Sequence, residues 1–312
     1  SCSTPEFLSL EGQATMAATE KYLDPAGLHR VGNMELVAKQ VVEGFLTGRH
    51  RSPYHGFSVE YLDHRSYTPG DEIRNLDWKI VARSDKYYVK LFEDETNLRA
   101  YILLDCSSSM DFGSGDQSKL SWGSYLAAAL TYLLLRQNDA VGLVEFDSGV
   151  RRFIPPKAHP TQFRRILQSL DGIEPGGETD VGGVLHEAAE RTKRRGLIIV
   201  ISDLIDNEES IASGLGHFRH NNHEVIVFHT MDPAELEFPY DRLTRFKDME
   251  GAGRVVANPK SLRRRYLSRI NQFTEQVKRD CFERRISYEL CDTSQPYDKF
   301  LAAYLDKRSR IF

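Results

Sequence analysis

Between residues 87 and 230, short runs of β-branched and aromatic residues alternate with stretches long enough to be helices. The runs are YYVKLFEDE at 87 to 95, RAYILLD at 99 to 105, AVGLVEFD at 140 to 147, GLIIVISD at 196 to 203 and HEVIVFHT at 223 to 230. Helical stretches are expected at about 118–136, 160–170, 181–194 and 208–220. A strand that returns to its sheet through a helix must lie parallel to its predecessor. The pattern therefore predicts an α/β chain, doubly wound, with a mostly parallel sheet and helices on both faces. In such a sheet ligands sit outside the carboxyl ends of the strands, so the residues just after YILL, IIVI and VIVF carry the interest.

The flanks are less regular. Leu28, Val31, Met34, Leu36, Val37, Val41, Val42 and Phe45 recur at three and four spacings and predict an amphipathic helix over 26–47, closed by Gly48 and docked on the body. A segment rich in His, Tyr, Pro and Gly follows, with a strand-like FSVEYLD at 57 to 63. A helix-like piece over 71–83 then holds Trp78. This divides the chain into residues 1–25, a flexible tail or an appended remnant; residues 26–98, a helix and small β-containing subdomain; and residues 99–312, the α/β domain. The last adds a long helix over 260–284, a strand over 286–292 and a helix over 296–306.

At 312 residues the chain can bury a full core, and 40% hydrophobic with 28% charged residues argues against a disordered or fibrous protein. No apolar run approaches the roughly 20 residues of a spanning helix, and no basic start precedes an apolar core, so a cytoplasmic location is expected. Cys2, Cys106, Cys281 and Cys291 form no CxxC pair and are expected to be free thiols. Residues 260–312 carry 13 Lys and Arg against 7 Asp and Glu, whereas the remainder carries 28 against 38. This basic end, with LRRRYLSRI at 262 to 270, could meet an acidic partner or a membrane surface. No recognition motif accompanies it, which argues against nucleic acid.

After the strand YILL comes Asp105-Cys106-Ser107-Ser108-Ser109, a DxSxS loop offering one carboxylate and two hydroxyls, all oxygen donors of the kind a hard cation takes. GLIIVIS ends in Asp203, a second carboxylate on the same sheet edge. Between them the glycine-rich PGGETDVGGVL places Thr179 and Asp180 at a helix start. Three loops thus converge on one rim.

The set resembles the metal-ion-dependent adhesion site of von Willebrand factor type A domains, in which DxSxS is followed by a Thr and then an Asp. Asp105, Ser107 and Ser109 match the first motif, Thr179 the Thr, and Asp203 the last Asp. The resemblance implies Mg²⁺, with Mn²⁺ or Ca²⁺ as substitutes. It implies hydroxyls that bind the metal directly, aspartates that act directly or through water, and an open position for an acidic side chain of a partner. The preceding RSYTPGDEIRNLDWKIVARSDKYYVKLFEDE is similar to the bacterial family called domain of unknown function number fifty-eight. The matching positions are Arg65, Tyr67, Pro69, Gly70, Asp71, Asp77, Trp78, Ala82, Arg83, Lys90 and Glu93. That resemblance implies a non-enzymatic protein-binding module working beside a MoxR-type AAA ATPase, or on its client, in protein maturation or chaperone-like assembly. Many members carry N-terminal membrane helices; no run of that kind stands in these 312 residues, so membrane attachment is not expected from them.

Plainer readings stand beside these. Asp180 and Asp206 read as helix caps, Asp147 as a turn residue on the rim, and Trp78 and Gly70 as structural. His217, His220 and His223 invite a zinc reading, but a fourth ligand is missing, and a solvated helix end running into a turn fits HFRHNNH better. A Mg²⁺-dependent phosphohydrolase is the alternative function, since a strand-end Asp beside a metal is how aspartyl-phosphate enzymes begin. It wants an acid two residues on, where Ser107 stands. A serine hydrolase lacks its GxSxG elbow, and GSGDQSKL at 113 to 120 lacks P-loop spacing. A scaffold that needs no metal and uses the basic C-terminal helix is the third possibility.

Overall fold

The computed structural model describes residues 34, 38, 39, 42, 61–66, 87–92, 98–177, 179–242, 244–247 and 254–309. Residues 1–25, most of the helix expected over 26–47 and the 71–83 piece with Trp78 lie outside the described residues. Along the chain come β1 (Tyr61–Ser66), β2 (Tyr88–Phe92), β3 (Arg99–Asp105), a 3-10 turn (Ser108–Asp111), α1 (Lys119–Arg136), β4 (Ala140–Phe146), β5 (Val150–Lys157), α2 (Pro160–Asp171) and α3 (Val181–Arg191). There follow β6 (Leu197–Ser202), α4 (Glu208–His220), β7 (Glu224–Met231), α5 (Pro233–Glu237), β8 (Thr244–Lys247), β9 (Arg254–Ala257), α6 (Pro259–Glu283), β10 (Ser287–Asp292) and α7 (Tyr297–Ser309).

Six strands form the main sheet in the order β10-β7-β6-β3-β4-β5, and every neighbouring pair is parallel except β4 with β5. This is the doubly wound α/β architecture that the alternating runs predict. Along β3 the side chains divide by period two: Ala100, Ile102 and Leu104 enter one core with α1, α2 and α7, while Tyr101 and Leu103 enter a second with α3, α4 and the buried end of α6. Of the span 26–47, Met34, Ala38 and Val42 are described as helical and lie in the first core. β3 has β4 on one side and β6 on the other, so the winding reverses there. The crevice between the ends of β3 and β6 is the topological switch point.

Three details differ from expectation. β2 does not join the parallel series; it pairs antiparallel with β1 in a separate two-stranded sheet. Only the residues from 93 to 98 separate β2 from β3, too few for the crossover that a parallel neighbour needs. β5 was not anticipated, because VRRFIPPK holds two adjacent prolines and two arginines; it is tolerated as an edge strand. The hairpin of β8 and β9 was likewise missed.

Helices α3 and α4 cross closely because glycines stand at the contact. A Cβ on Gly214 would lie 2.7 Å from Leu185 Cβ, and one on Gly182 would meet Ser210. Gly214→Ala should force the helices apart and cost about 1–3 kcal/mol, read as a lower urea midpoint at unchanged slope.

Candidate functional site

Asp105 ends β3, and Ser202 and Asp203 stand at the end of the adjacent β6, one and two residues past Ile201, which lies opposite Leu104. Both aspartates are fully buried, as is Ser107, and Ser109 is nearly so. The loop after β3 folds back on its own carboxylate: Ser107 N donates to Asp105 Oδ1 at 2.9 Å, and the Ser107 and Ser109 hydroxyls meet at 3.0 Å. Ser202 Oγ donates to Asp105 Oδ2 at 2.6 Å. On Asp203, Oδ1 accepts from Ile205 N at 3.2 Å and Oδ2 from Lys119 Nζ at 2.7 Å.

The glycine-rich loop is tied to the same place. Gly176 N donates to Cys106 O at 3.0 Å and Ser108 N to Gly177 O at 3.3 Å, so Thr179 follows a loop bonded directly to the DxSxS turn. Gly177 has a φ of +86°, and a Cβ there would lie 2.6 Å from Asp147 Oδ2. Arg151 clamps this loop, pairing with Asp147 and donating to the carbonyls of Glu174 and Gly176. Asp105, Ser107, Ser109 and Asp203, four of the five residues expected at the rim, thus meet at one strand-end crevice, and Thr179 stands two residues past the glycine that is bonded to the DxSxS turn.

Its electrostatics follow from burial. The Asp105 carboxyl is pushed up to about 7, first by loss of water and then by the charge of Asp203, against the pull of the Ser202 and Ser107 hydrogen bonds. Asp203 is answered by the Lys119 ammonium, and the two buried carboxylates still outnumber that one cation. The donors are all oxygen, and with about four acceptor sites per carboxylate neither Asp105 nor Asp203 is saturated by the hydrogen bonds it holds. This chemistry fits a hard divalent cation, with Asp105, Asp203 and the Ser107, Ser109 and Thr179 hydroxyls as the residues that would hold it. Among the described residues no group of three or more His, Cys, Asp or Glu is placed to hold a metal; the crevice sets two acids beside the Ser107 and Ser109 hydroxyls.

Other residues resolve differently. Asp180 caps α3 as expected, accepting Gly183 N at 2.8 Å. Asp206 does not cap α4; Asn207 does, and Asp206 instead accepts Gly182 N at 3.2 Å, linking two rim loops. Asp147 is both turn residue and rim acid, holding Gly149 N as well as Arg151. The zinc reading of the histidines lapses: His217 meets His186 at 3.2 Å, while His223 is fully buried and tied to Gly196 N and Thr192 O. His223 is thus a loop staple rather than part of a solvated end, and burial lowers its pKa. Cys106, Cys281 and Cys291 are free and buried, and burial pushes the Cys106 thiol up, away from nucleophilic use.

Sequence reading missed Ser202, Lys119 and Glu235. Lys119 had a signal of need, though not of partner: it opens a helix, where a cation opposes the dipole and so calls for an acid nearby in space. Glu235 had one in DPAE, a capping box with Asp232.

Fold and crevice together define an α/β domain with an oxygen-lined, acidic crevice at its switch point. The chain belongs to the family described as protein of unknown function DUF58, whose model matches residues 63–276. It is 25% identical over 225 residues to the uncharacterized proteins Rv1480 of Mycobacterium tuberculosis and Mb1516 of Mycobacterium bovis, covering 69% of this chain and 68% of each relative. Among solved structures it is similar to the conserved hypothetical protein BatB from Bacteroides thetaiotaomicron, at 20% identity over 68% of this chain and 99% of that one, with a TM-score of 0.47. It is also similar to an aerotolerance-related membrane protein from Bacteroides fragilis, at 18% identity over 67% of this chain and 99% of that one, with a TM-score of 0.45. No helix among the described residues is long and apolar enough to cross a membrane.

Proposed function

We propose that the chain is a non-enzymatic, Mg²⁺-dependent protein-binding module whose rim accepts an acidic side chain of a partner. The observation that carries this reading is the pair of fully buried aspartates, Asp105 and Asp203, at adjacent parallel strand ends beside the hydroxyls of Ser107 and Ser109. When bound, Mg²⁺ supplies an exchangeable coordination position that a partner carboxylate can fill. The chain's own residues do the rest: the hydroxyls donate oxygen, the carboxylates neutralise charge, and the Arg151 clamp fixes the glycine loop that leads to Thr179. The partner that the family resemblance suggests is a MoxR-type AAA ATPase or its client. The phosphohydrolase reading is disfavoured at position 107, where a hydroxyl bonded to another hydroxyl stands in place of the general acid.

Calorimetric titration with Mg²⁺ and Mn²⁺ tests the site. A saturable signal is expected in the native sequence, weakened about tenfold or more in Thr179→Ala, which removes one hydroxyl ligand. Co-sedimentation with a MoxR-type ATPase should then require Mg²⁺ and disappear in chelator. Association that survives chelator but falls with salt would transfer the function to the basic face of α6. Hydrolysis of a phosphate ester, lost in Asp105→Asn, would replace the binding module by an enzyme.

A further inference from the structure

Lys119 is the first residue of α1, yet its side chain is fully buried, unusual for lysine unless paired. Its ammonium lies 2.7 Å from Asp203 Oδ2 and 2.8 Å from Glu235 Oε1, with the Phe112 ring centroid 5.9 Å away. Glu235 is itself fixed, since its other oxygen accepts Asp232 N at 2.8 Å. Asp232 in turn holds Ala234 N and, across the rim, Ser114 N, both at 2.8 Å. The ammonium is therefore a charge of fixed position touching one of the two rim carboxylates. Counted over the two rim acids and the groups that touch the ammonium, Asp105, Asp203 and Glu235 against Lys119 leave a formal surplus of two negative charges. Asp232, whose carboxylate is taken up by two backbone N–H groups and does not touch the ammonium, stands outside that count. A divalent cation cancels that surplus; a monovalent ion leaves part of it and a trivalent ion exceeds it.

We propose that Lys119 is a built-in counter-charge that sets how tightly the rim holds its cation and matches the rim to a charge of two. The inference rests on the cation-binding reading above and adds the residue that tunes it. In a poorly solvated site, one unit charge a few ångströms from the ion changes affinity by about tenfold or more.

The test is a charge series read by Mn²⁺ binding, followed by electron paramagnetic resonance, and by Tb³⁺ luminescence. Glu235→Gln reduces the surplus to one, and Mn²⁺ should bind about tenfold or more weakly than in the native sequence. Lys119→Met raises the surplus to three, so Mn²⁺ should bind about tenfold or more tightly and Tb³⁺ should gain further still. The double variant Lys119→Met with Glu235→Gln restores a surplus of two and should return to within about threefold of the native affinity. If Lys119→Met fails to fold, the fall in Glu235→Gln and the recovery in the double variant still decide the matter. Equal affinities across the folded variants, or a double variant no tighter than Glu235→Gln, would leave Lys119 an ordinary structural ion pair while the cation site stands. If neither the native protein nor any variant binds Mn²⁺ or Tb³⁺, the cation-binding reading fails and the counter-charge role falls with it.

Discussion

Asp105→Asn is expected to abolish divalent cation binding and, in the same protein, to raise the stability of the cation-free fold at pH 8. Asp105 is fully buried beside Asp203, and its carboxyl is pushed up to about 7 from an ordinary value near 3.8. Between those two values the folded chain holds a proton that the unfolded chain has released. Stability therefore falls as pH rises through that window, and the penalty is complete above about 7. Asparagine occupies the same volume and carries no charge, so the variant should be more stable at pH 8 by roughly 2–4 kcal/mol and flatter between pH 4 and 7. Urea unfolding in chelator at pH 5 and pH 8 measures this, and Mg²⁺ calorimetry measures the lost binding. Adding Mg²⁺ should stabilise only the native sequence, because only it has a folded-state ligand. A variant that is less stable at pH 8, or that still binds Mg²⁺, would refute the account of the site given above.

Trp122→Ala should be the most damaging single change in the core. The side chain is fully buried in α1, packs edge-on against Phe300 of α7 at 5.4 Å between centroids, and donates its indole N–H to Gln295 O at 2.8 Å. Its removal takes away a large apolar surface and leaves both a cavity and an unpaired carbonyl where α7 begins. The expected cost is about 3–5 kcal/mol, read as a fall in the guanidinium midpoint. Phe282→Ala supplies the contrast: that ring is 83% exposed on α6, and its loss should stay within about 0.5 kcal/mol. Equal losses in the two variants would mean that the core is not arranged as described.

The parts of the molecule that could be read from the sequence are those that local periodicity writes. β3, β6 and β7 are continuous apolar runs because they are buried on both faces, and α1, α2, α4 and α6 lie within a residue or two of their expected bounds. Asp105 and Asp203 could be gathered on one rim because strand ends in a wound sheet face the same way, and Ser107 and Ser109 come with Asp105; Thr179, at a helix start rather than a strand end, was assigned there by the resemblance. Long-range pairing was not legible. Lys119 finds Asp203 and Glu235 across 84 and 116 residues, and nothing local to Ser118 or Leu120 announces either partner. His223 was misread because NN beside it is turn chemistry, whereas its ring is held by Thr192 and Gly196 from another loop. β5 was hidden by prolines that disfavour an inner strand and say nothing against an outer one.

Those same prolines bear on how copies of the chain can associate. Successive strand residues point their N–H groups to opposite sides, so of Pro155 and Pro156 one removes a donor from the outer edge of β5, and exposed Arg151 and Arg152 add charge to that edge. The opposite margin, β10, has no proline within SYELCD. Among the described residues, strand addition is thus disfavoured at β5, which presents one donor fewer and two exposed guanidinium side chains, whereas β10 is the margin that keeps all its backbone N–H groups.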